Sequence, residues 1–203
     1  MGFEITPMKE DEIGVWNKVS WEAFASVEDN LSMLLYPGGL TERTQAFMRN
    51  NTLESLSDPS FSYIFVRDSG TKDVLAVACW YFQTEDMSMQ EVSEKEEKAR
   101  KGRAEQEPIP GINFGAIADF REAQATSKRE ILAGKRHALL KVLATLPAAQ
   151  RKGAGAAGLI WGLQRADELS MPAYLEASGM GRPLYGKHGF KEVSTIGQID
   201  MRI

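Results

Sequence analysis

The first sixty residues alternate between a strand pattern and two helical patterns of apolar positions. Residues 3–7 predict a short opening strand, and in residues 9–27 apolar side chains recur every three or four positions, which indicates a helix. A Tyr-Pro-Gly-Gly turn signal at 36–39 ends this region. Thr41 is then placed to cap a second helix, which we expect to stop before the Asp-Pro pair at 58–59.

Two strand patterns follow and predict an antiparallel hairpin. Residues 61–68 and 74–83 are rich in β-branched and aromatic side chains, and the polar stretch between them contains a glycine typical of a turn. The second run is apolar at successive positions, so we expect both of its faces to be covered. It is therefore predicted to be a central strand of a sheet.

The hydrophobic patterning then weakens, which predicts an insertion at about 84–136. Residues 91–107 are mostly charged and favour a solvated excursion that is partly helical or disordered. Residues 113–134 return to a helical pattern, and we expect them to fold over one edge of the domain. With this insertion, residues 1–203 are expected to form a single domain.

The last third of the chain begins with a strand and a long helix. Residues 138–146 predict the strand, which Pro147 ends, and residues 153–169 predict the helix. Gly158 and Gly162 lie one turn apart and let the helix approach a neighbour closely, at a propensity cost of about 1 kcal/mol each. The buried stripe of this helix is expected to consist of Ala156, Leu159, Ile160, Leu163 and Ala166.

The C-terminal elements complete the predicted fold. Residues 173–177 predict a further strand, 179–188 contain a short helix, and final strands are expected from Phe190 and over 198–203. The order of elements predicts an α/β fold of the mixed, α+β kind, with helices packed on a sheet.

The composition excludes several classes of protein. A formal net charge of −4 and the lack of a basic stripe argue against nucleic acid as a partner. Cys79 is the one cysteine, and with only two histidines the chain has too few ligands for a Cys/His zinc site. No apolar run reaches the roughly 18–20 residues of a membrane helix, and the first residues lack a signal-peptide pattern. We therefore expect a cytoplasmic protein without a metal or a membrane partner.

The stretch LATLPAAQRKGAG, residues 143–155, carries the candidate chemistry. A strand ends there at a proline, a loop of small and basic residues follows, and a long helix begins. Small residues let the main chain approach a ligand, and free N–H groups at a helix start attract an anion such as a pyrophosphate. Arg151 and Lys152 add positive charge. A plain strand–turn–helix crossover has the same pattern, so both interpretations stay open at this point.

Two other phosphate-binding loops can be compared by their letters. The loop of nucleoside triphosphatases needs a lysine and then Ser or Thr after its glycines, an order that this stretch lacks. Residues 153–158, GAGAAG, do match the dinucleotide-binding GxGxxG, and Glu176 lies about where that motif expects an acid. The match lies so late in the chain, however, that too few residues follow for the remaining parallel strands.

Together with the downstream segments YLEAS and GRPLYGKHGF, this stretch resembles the GNAT superfamily of N-acyltransferases. The family's pyrophosphate loop has the form Q/R-x-x-G-x-G/A, which Gln150, Gly153 and Gly155 match. The family's closing motif, a tyrosine followed by Gly-Phe, is matched by residues 184–190. The resemblance covers roughly residues 139–193, and its wording is most similar to a fungal branch of the superfamily.

The resemblance implies a mixed, mostly antiparallel sheet in which two strands part beside the ligand. The implied acyl donor is acetyl-CoA, whose pantetheine amides would pair with the strand that ends at Thr145 and whose pyrophosphate would bind the next loop. The residues implied to bind this co-substrate are Val142, Leu143, Ala144, Thr145, Gln150, Arg151, Lys152, Gly153, Ala154, Gly155, Ala156, Ser178 and Tyr185.

Two positions near the implied thioester have alternative readings. Ser178 either touches the CoA arm or caps a turn. Where many relatives have His-Pro after a threonine, this chain has Leu146-Pro147, so a polar group beside the thioester is missing.

The resemblance also assigns catalytic roles. Tyr185 is the expected general acid that protonates the leaving CoA thiolate. Glu176 is our first choice for the base that accepts the proton of the amine, with a structural carboxylate as the open alternative. His137 and His188 are more typical of surface or capping residues, and Cys79 of a small core residue.

The sequence therefore predicts an acyl-CoA-dependent N-acyltransferase that moves an acetyl group to the primary amine of a small molecule by direct attack. The acceptor is expected to contact the first two helices and residues 113–134 of the insertion, and the chain is expected to be a monomer or a homodimer. Two alternatives are a catalytically inactive CoA-binding sensor or scaffold and a nucleotide-binding protein.

Overall fold

Five strands form one sheet in the computed structural model, which describes residues 2–26 and 31–193. In spatial order the strands are β1 (Phe3–Pro7), β2 (Phe61–Asp68), β3 (Val74–Gln83), β4 (His137–Thr145) and β5 (Ala173–Leu175). The first three pairings are antiparallel, and β4 and β5 are parallel. This mixed, mostly antiparallel sheet with flanking helices is the predicted fold class.

Seven α-helices connect or cover the strands in the described residues. They are α1 (Ile13–Ala25), α2 (Leu31–Leu35), α3 (Glu42–Leu56), α4 (Met89–Ala104), α5 (Phe114–Leu132), α6 (Ala154–Glu168) and α7 (Arg182–Lys187). Thr41 caps α3 as predicted, because its hydroxyl oxygen accepts a hydrogen bond from the Thr44 N–H at 3.2 Å.

The alternation of side chains along β2, β3 and β4 builds a core on each face of the sheet. The core on the α1 face contains Ile13, Trp16, Phe65, Val77, Cys79 and Ala144. The core on the α6 face contains Ile64, Ala78, Trp80, Leu140, Leu159 and Ala166. The hairpin and the central position of β3, with neighbours β2 and β4, are as predicted.

Two glycines set how closely α6 lies against the sheet. A Cβ at Gly162 would lie 1.9 Å from the Trp80 ring, and the indole N–H donates to the Gly158 carbonyl at 3.2 Å. The buried side of α6 therefore includes both glycines with Leu159 and Ala166. The predicted burial of Ile160 is wrong: it is 39% exposed, since the glycines and not the largest apolar residues face the indole.

The insertion is helical and attached to the sheet. The charged stretch forms α4, which has no buried residue, and a Glu96–Arg129 ion pair of 3.0 Å links it to α5. After α5, Gly134 has φ +75°, and a Cβ there would lie 2.2 Å from the Met87 carbonyl oxygen. Only glycine therefore fits where the insertion returns to β4.

The predictions for the C-terminal end are tested in part. β5 and α7 occur within the predicted ranges. The strand predicted from Phe190 is not formed over residues 190–193, which have no regular secondary structure. The rest of that strand, and the strand expected at 198–203, lie outside the described residues.

Candidate functional site

Strand β4 extends beyond its parallel partner. The β4–β5 register runs from Ala138 opposite Ala173 to Leu140 opposite Leu175, but β4 continues to Thr145. Among the described residues, no strand covers the β5-side edge of residues 141–145. An extended molecule with amide groups can pair with such an edge in place of a strand.

The direction of the main-chain groups at this edge follows from the pairing with β3. The Leu146 N–H donates to the Leu75 carbonyl, 3.0 Å away on the β3 side. Because successive main-chain groups of a strand point to opposite edges, those of Thr145 and Leu143 point to the uncovered edge. The Thr145 carbonyl accepts a hydrogen bond there from Gln150 Nε2 at 3.4 Å.

The side chains of this part of β4 belong to the cores. Val142 and Ala144 pack on the α1 face, whereas Leu143 packs on the α6 face. Only main-chain groups of these residues are therefore left to bind a ligand along the strand.

A tight turn connects β4 to α6. Arg151 and Gly153 have positive φ angles of +58° and +96°, a conformation that costs a non-glycine residue such as Arg151 free energy. The Lys152 ammonium donates to the Ala148 carbonyl at 2.7 Å, while Arg151 is exposed. The N–H groups of residues 151–156 have no acceptor among the described residues. With the positive end of the α6 dipole, they form a cradle for an anion.

Gly155 brings this cradle close to the strand end and to α7. A Cβ at Gly155 would lie 2.9 Å from Thr145 Oγ1 and 3.8 Å from Leu184 Cδ2. A side chain here would therefore separate the first turn of α6 from the end of β4. Ala154, beside it, is buried, and Ala156 is half-buried.

Tyr185 lies on α7, directly after Leu184, whose side chain approaches Gly155. Its ring contacts Phe190 edge-to-face, with the ring centroids 6.0 Å apart, and packs against the α6-face core. Burial raises the pKa of the phenol above its ordinary value, so the hydroxyl is protonated at neutral pH. The hydroxyl has no hydrogen-bond partner within residues 2–26 and 31–193. It can therefore serve as a proton donor.

Glu176 follows β5 directly and faces α5. Its carboxylate accepts a hydrogen bond from Gln124 Nε2, and the Tyr174 hydroxyl donates to it at 3.5 Å. Tyr174 also contacts the Ser127 hydroxyl at 3.2 Å. Burial raises the pKa of Glu176, although the nearby Lys128 ammonium opposes the shift. A half-buried carboxylate of raised pKa is a better base than a solvated one.

The remaining candidates have structural contacts. The Ser178 hydroxyl accepts a hydrogen bond from the Gly181 N–H at 3.3 Å, so Ser178 caps the turn before α7. His137 is buried, and its Nδ1 is within hydrogen-bond distance of the Lys135 carbonyl at 2.7 Å. Burial lowers the pKa of its imidazole. His188 is the C-cap residue of α7. Cys79 is a core thiol whose pKa burial raises to about 11, so it is not a nucleophile at neutral pH.

The sequence analysis missed four polar residues near Glu176. Arg121, Gln124 and Lys128 share one face of α5, and the helical spacing of 121, 124 and 128 was the signal that could have found them. Lys141 is the extra residue of a β-bulge, because Val142 pairs with Cys79 while Leu140 pairs with Trp80. No local pattern of residue types predicts such a bulge.

The dinucleotide interpretation of residues 153–158 does not fit this fold. That motif belongs to a parallel, doubly wound sheet, whereas this sheet has only one parallel pairing among the described strands.

The described residues form neither a metal site nor a membrane span. In them, no group of three or more His, Cys, Asp and Glu side chains is arranged to hold a metal ion. None of the described helices is long and apolar enough to cross a membrane.

Comparisons with known proteins detect similarity only at the level of structure. No protein-family model matches the sequence, and no curated protein matches it. A Corynebacterium glutamicum structure, described as histone acetyltransferase HPA2 and related acetyltransferase, is 21% identical with a TM-score of 0.60, covering 98% of this chain and 91% of that one. The structure of mosquito arylalkylamine N-acetyltransferase like 5b is 14% identical with a TM-score of 0.66, covering 95% of this chain and 85% of that one.

A third similar structure contains a ligand. It is a "predicted acetyltransferase" from Clostridium acetobutylicum solved with acetyl-CoA, 13% identical with a TM-score of 0.53, covering 95% of this chain and 92% of that one. The chain therefore has the fold of GCN5-related N-acetyltransferases.

Proposed function

We propose that the chain is an acyl-CoA-dependent N-acyltransferase that transfers an acetyl group from acetyl-CoA to a primary amine of a small molecule. One observation carries the proposal: β4 continues past its pairing with β5 and ends at a turn whose N–H groups, from Arg151 to Ala156, have no acceptor in the described residues. An uncovered strand edge beside an anion cradle matches a ligand with an amide-containing arm and a diphosphate.

The donor is proposed to bind mainly through main-chain groups of the protein. The main-chain groups of Leu143 and the Thr145 N–H would pair with the pantetheine amides, and the N–H groups of residues 151–156 would hold the pyrophosphate. Arg151 is exposed beside the cradle and adds charge. The structure solved with acetyl-CoA among the similar proteins supports this donor, as does the matching Gln150, Gly153 and Gly155.

Acyl transfer by direct attack needs a base for the amine and an acid for the thiolate. In the proposed reaction the amine nitrogen bonds to the acyl carbon, and the carbon–sulfur bond breaks. Glu176 takes a proton from the ammonium before attack, and Tyr185 gives its proton to the departing sulfur. The second proton lost by the nitrogen then returns the Tyr185 phenolate to the phenol. The raised pKa values of both groups suit these roles.

Holding both reactants in one cleft would supply much of the rate, since a well-oriented pair reacts as if it were highly concentrated. Leu146 offers no polar side chain beside the thioester, so we assign no further side chain to the chemistry. The narrower placement in a fungal branch of the superfamily rests on the wording of residues 173–190 alone.

A second candidate is a CoA-binding sensor without turnover. The observation that favours it is the hydrogen bond from Gln124 to Glu176, which gives the carboxylate a structural use. The two candidates differ in turnover but not in CoA binding.

The test combines binding and turnover. Thermal unfolding with CoA at 100 times its Kd is expected to show a stabilisation of about 2.7 kcal/mol. Acetyl-CoA with a panel of amines is expected to release free thiol. A thermal shift without thiol release from any amine would favour the sensor, and no shift with any acyl-CoA would refute both candidates.

A further inference from the structure

Helix α5 presents a row of polar side chains to the end of β5. Arg121, Gln124 and Lys128 lie on one helical face. Arg121 Nη1 donates to Gln124 Oε1 at 3.2 Å, and Gln124 in turn donates to the Glu176 carboxylate. This face of α5 is thus directed at the proposed base.

A third cation reaches the same region from the sheet. Lys141 is the bulge residue of β4, and its ammonium lies 4.8 Å from the centroid of the Phe61 ring. Lys141 keeps an exposed surface, but neighbouring protein atoms partly desolvate its ammonium. This desolvation, followed by repulsion from Arg121, lowers its pKa to about 8, and Lys128 adds to the repulsion.

The positive charge of this cluster exceeds the negative charge facing it. Arg121, Lys128 and Lys141 lie near the Glu176 carboxylate, and none of them forms an ion pair within residues 2–26 and 31–193. Glu96 and Lys95 of α4 also act on Lys128, but the Glu96 carboxylate is already paired. Arg129, the next residue of α5, does form one, with Glu96 at 3.0 Å. Cations held near one another without partners are unfavourable in the free protein, whereas a bound anion would stabilise them.

We propose that the acceptor is an amine that also carries a carboxylate, as in an amino acid. The inference rests on the proposed acyl transfer and names the substrate class of the same site. Glu176 would receive the ammonium, and the guanidinium and two ammonium groups would hold the carboxylate. The forked guanidinium of Arg121 suits the two oxygens of a carboxylate.

The test uses acceptors that differ only in the carboxylate. Each amino acid of a panel is paired with the amine obtained by its decarboxylation, and thiol release from acetyl-CoA gives kcat/KM for both. We expect the amino acid to be preferred about tenfold or more, the usual scale of one charge-assisted hydrogen bond. Titration calorimetry of the CoA-loaded protein with the same pairs is expected to show the same order of affinity.

Variants separate this inference from general effects. Lys128→Gln is expected to remove most of the preference, measured within the variant as the ratio of kcat/KM for each amino acid to kcat/KM for its decarboxylated amine, so that a general loss of activity cancels. Arg129→Gln is the matched control from the next position, and it should leave the preference intact. If the decarboxylated amines are used as well as the amino acids and Lys128→Gln changes nothing, the inference is wrong and acyl transfer stands.

Two other outcomes would overturn the inference. A preference for phosphoethanolamine over β-alanine would overturn the choice of a carboxylate in favour of a phosphate. The absence of both a CoA thermal shift and thiol release would refute acyl transfer itself, and this inference with it.

Discussion

At the scale of single residues, burial acts in the same direction on two groups that have opposite proposed uses. It raises the pKa of the Tyr185 phenol, which then keeps its proton. It also raises the pKa of the Glu176 carboxyl, which makes the ionised form a stronger base. Tyr185 lies on α7 and Glu176 at the end of β5, so each group has its own surroundings.

The role of Tyr185 can be tested by removing its hydroxyl alone. Tyr185→Phe is expected to lower kcat about 10²-fold, the lower end of what a positioned acid contributes. The Phe ring keeps the contact with Phe190, so the thermal shift with CoA should not change. An unchanged kcat, measured by thiol release, would remove Tyr185 from the mechanism.

The role of Glu176 predicts a particular pH dependence. The carboxylate must be ionised to act as a base, so kcat/KM should fall as pH drops through its pKa. Because that pKa is raised, the acidic limb should lie above the ordinary glutamate value of 4.5. Glu176→Gln should abolish the limb along with most of the activity.

Stability measurements provide the control for this variant. A carboxyl with a raised folded-state pKa favours the folded state below its unfolded pKa and loses that contribution as pH rises through the folded one. Glu176→Gln should therefore leave the Tm at pH 7 unchanged or higher. A large loss of Tm would mean that Glu176 is a structural carboxylate.

At the scale of elements, the long segments were predictable and the contacts that orient them were not. Hydrophobic patterning gave β3, β4 and α6 because a continuous apolar run and a 3.6-residue repeat differ clearly over nine or more positions. The pattern gave the wrong burial for Ile160, because the Trp80 ring packs over the two glycines of α6 and leaves Ile160 exposed. Trp80 lies 80 positions earlier in the chain, so no local pattern indicates this contact. The turn at 150–155 before α6 was predictable because it depends on local residue types and not on distant side chains. Its use as a pyrophosphate site stays a prediction.

The contact between Trp80 and the glycines gives a prediction for α6. Gly162→Ala would place a Cβ 1.9 Å from the indole, and we expect a loss of roughly 1–3 kcal/mol of unfolding free energy, or more, from overpacking. Gly14→Ala in α1 is the matched control, because nothing lies within 4 Å of its added Cβ. The control should gain up to about 1 kcal/mol from helix propensity. Denaturant titration measures both, and equal effects would contradict the close contact.

At the scale of the whole molecule, the charged cluster next to Glu176 is assembled from parts that are far apart in sequence. Arg121 and Lys128 come from the insertion, Lys141 from the bulge in β4, and Glu176 from the end of β5. No single stretch of sequence indicates such a cluster, which explains why the sequence predicted the turn at 150–155 and not these cations.

The charge of this cluster should change with pH. Since desolvation and the repulsion of Arg121 lower the pKa of Lys141 to about 8, its ammonium loses most of its charge between about pH 7 and pH 9. The preference for a carboxylate-bearing acceptor over its decarboxylated amine should decrease over that range. Lys141→Arg keeps the charge and should remove the decrease, and the ratio of kcat/KM values measures it. A decrease of the same size in Lys141→Arg would point to another group.

The uncovered edge of β4 has a consequence for the protein when no donor is bound. Unpaired main-chain groups on a strand edge are templates for association with the edge of another molecule. A pantetheine arm that occupies this edge would act as a removable protective strand. We therefore expect acyl-CoA to suppress aggregation of the concentrated protein, which light scattering during storage would detect, so that the substrate also serves as a solubilising agent.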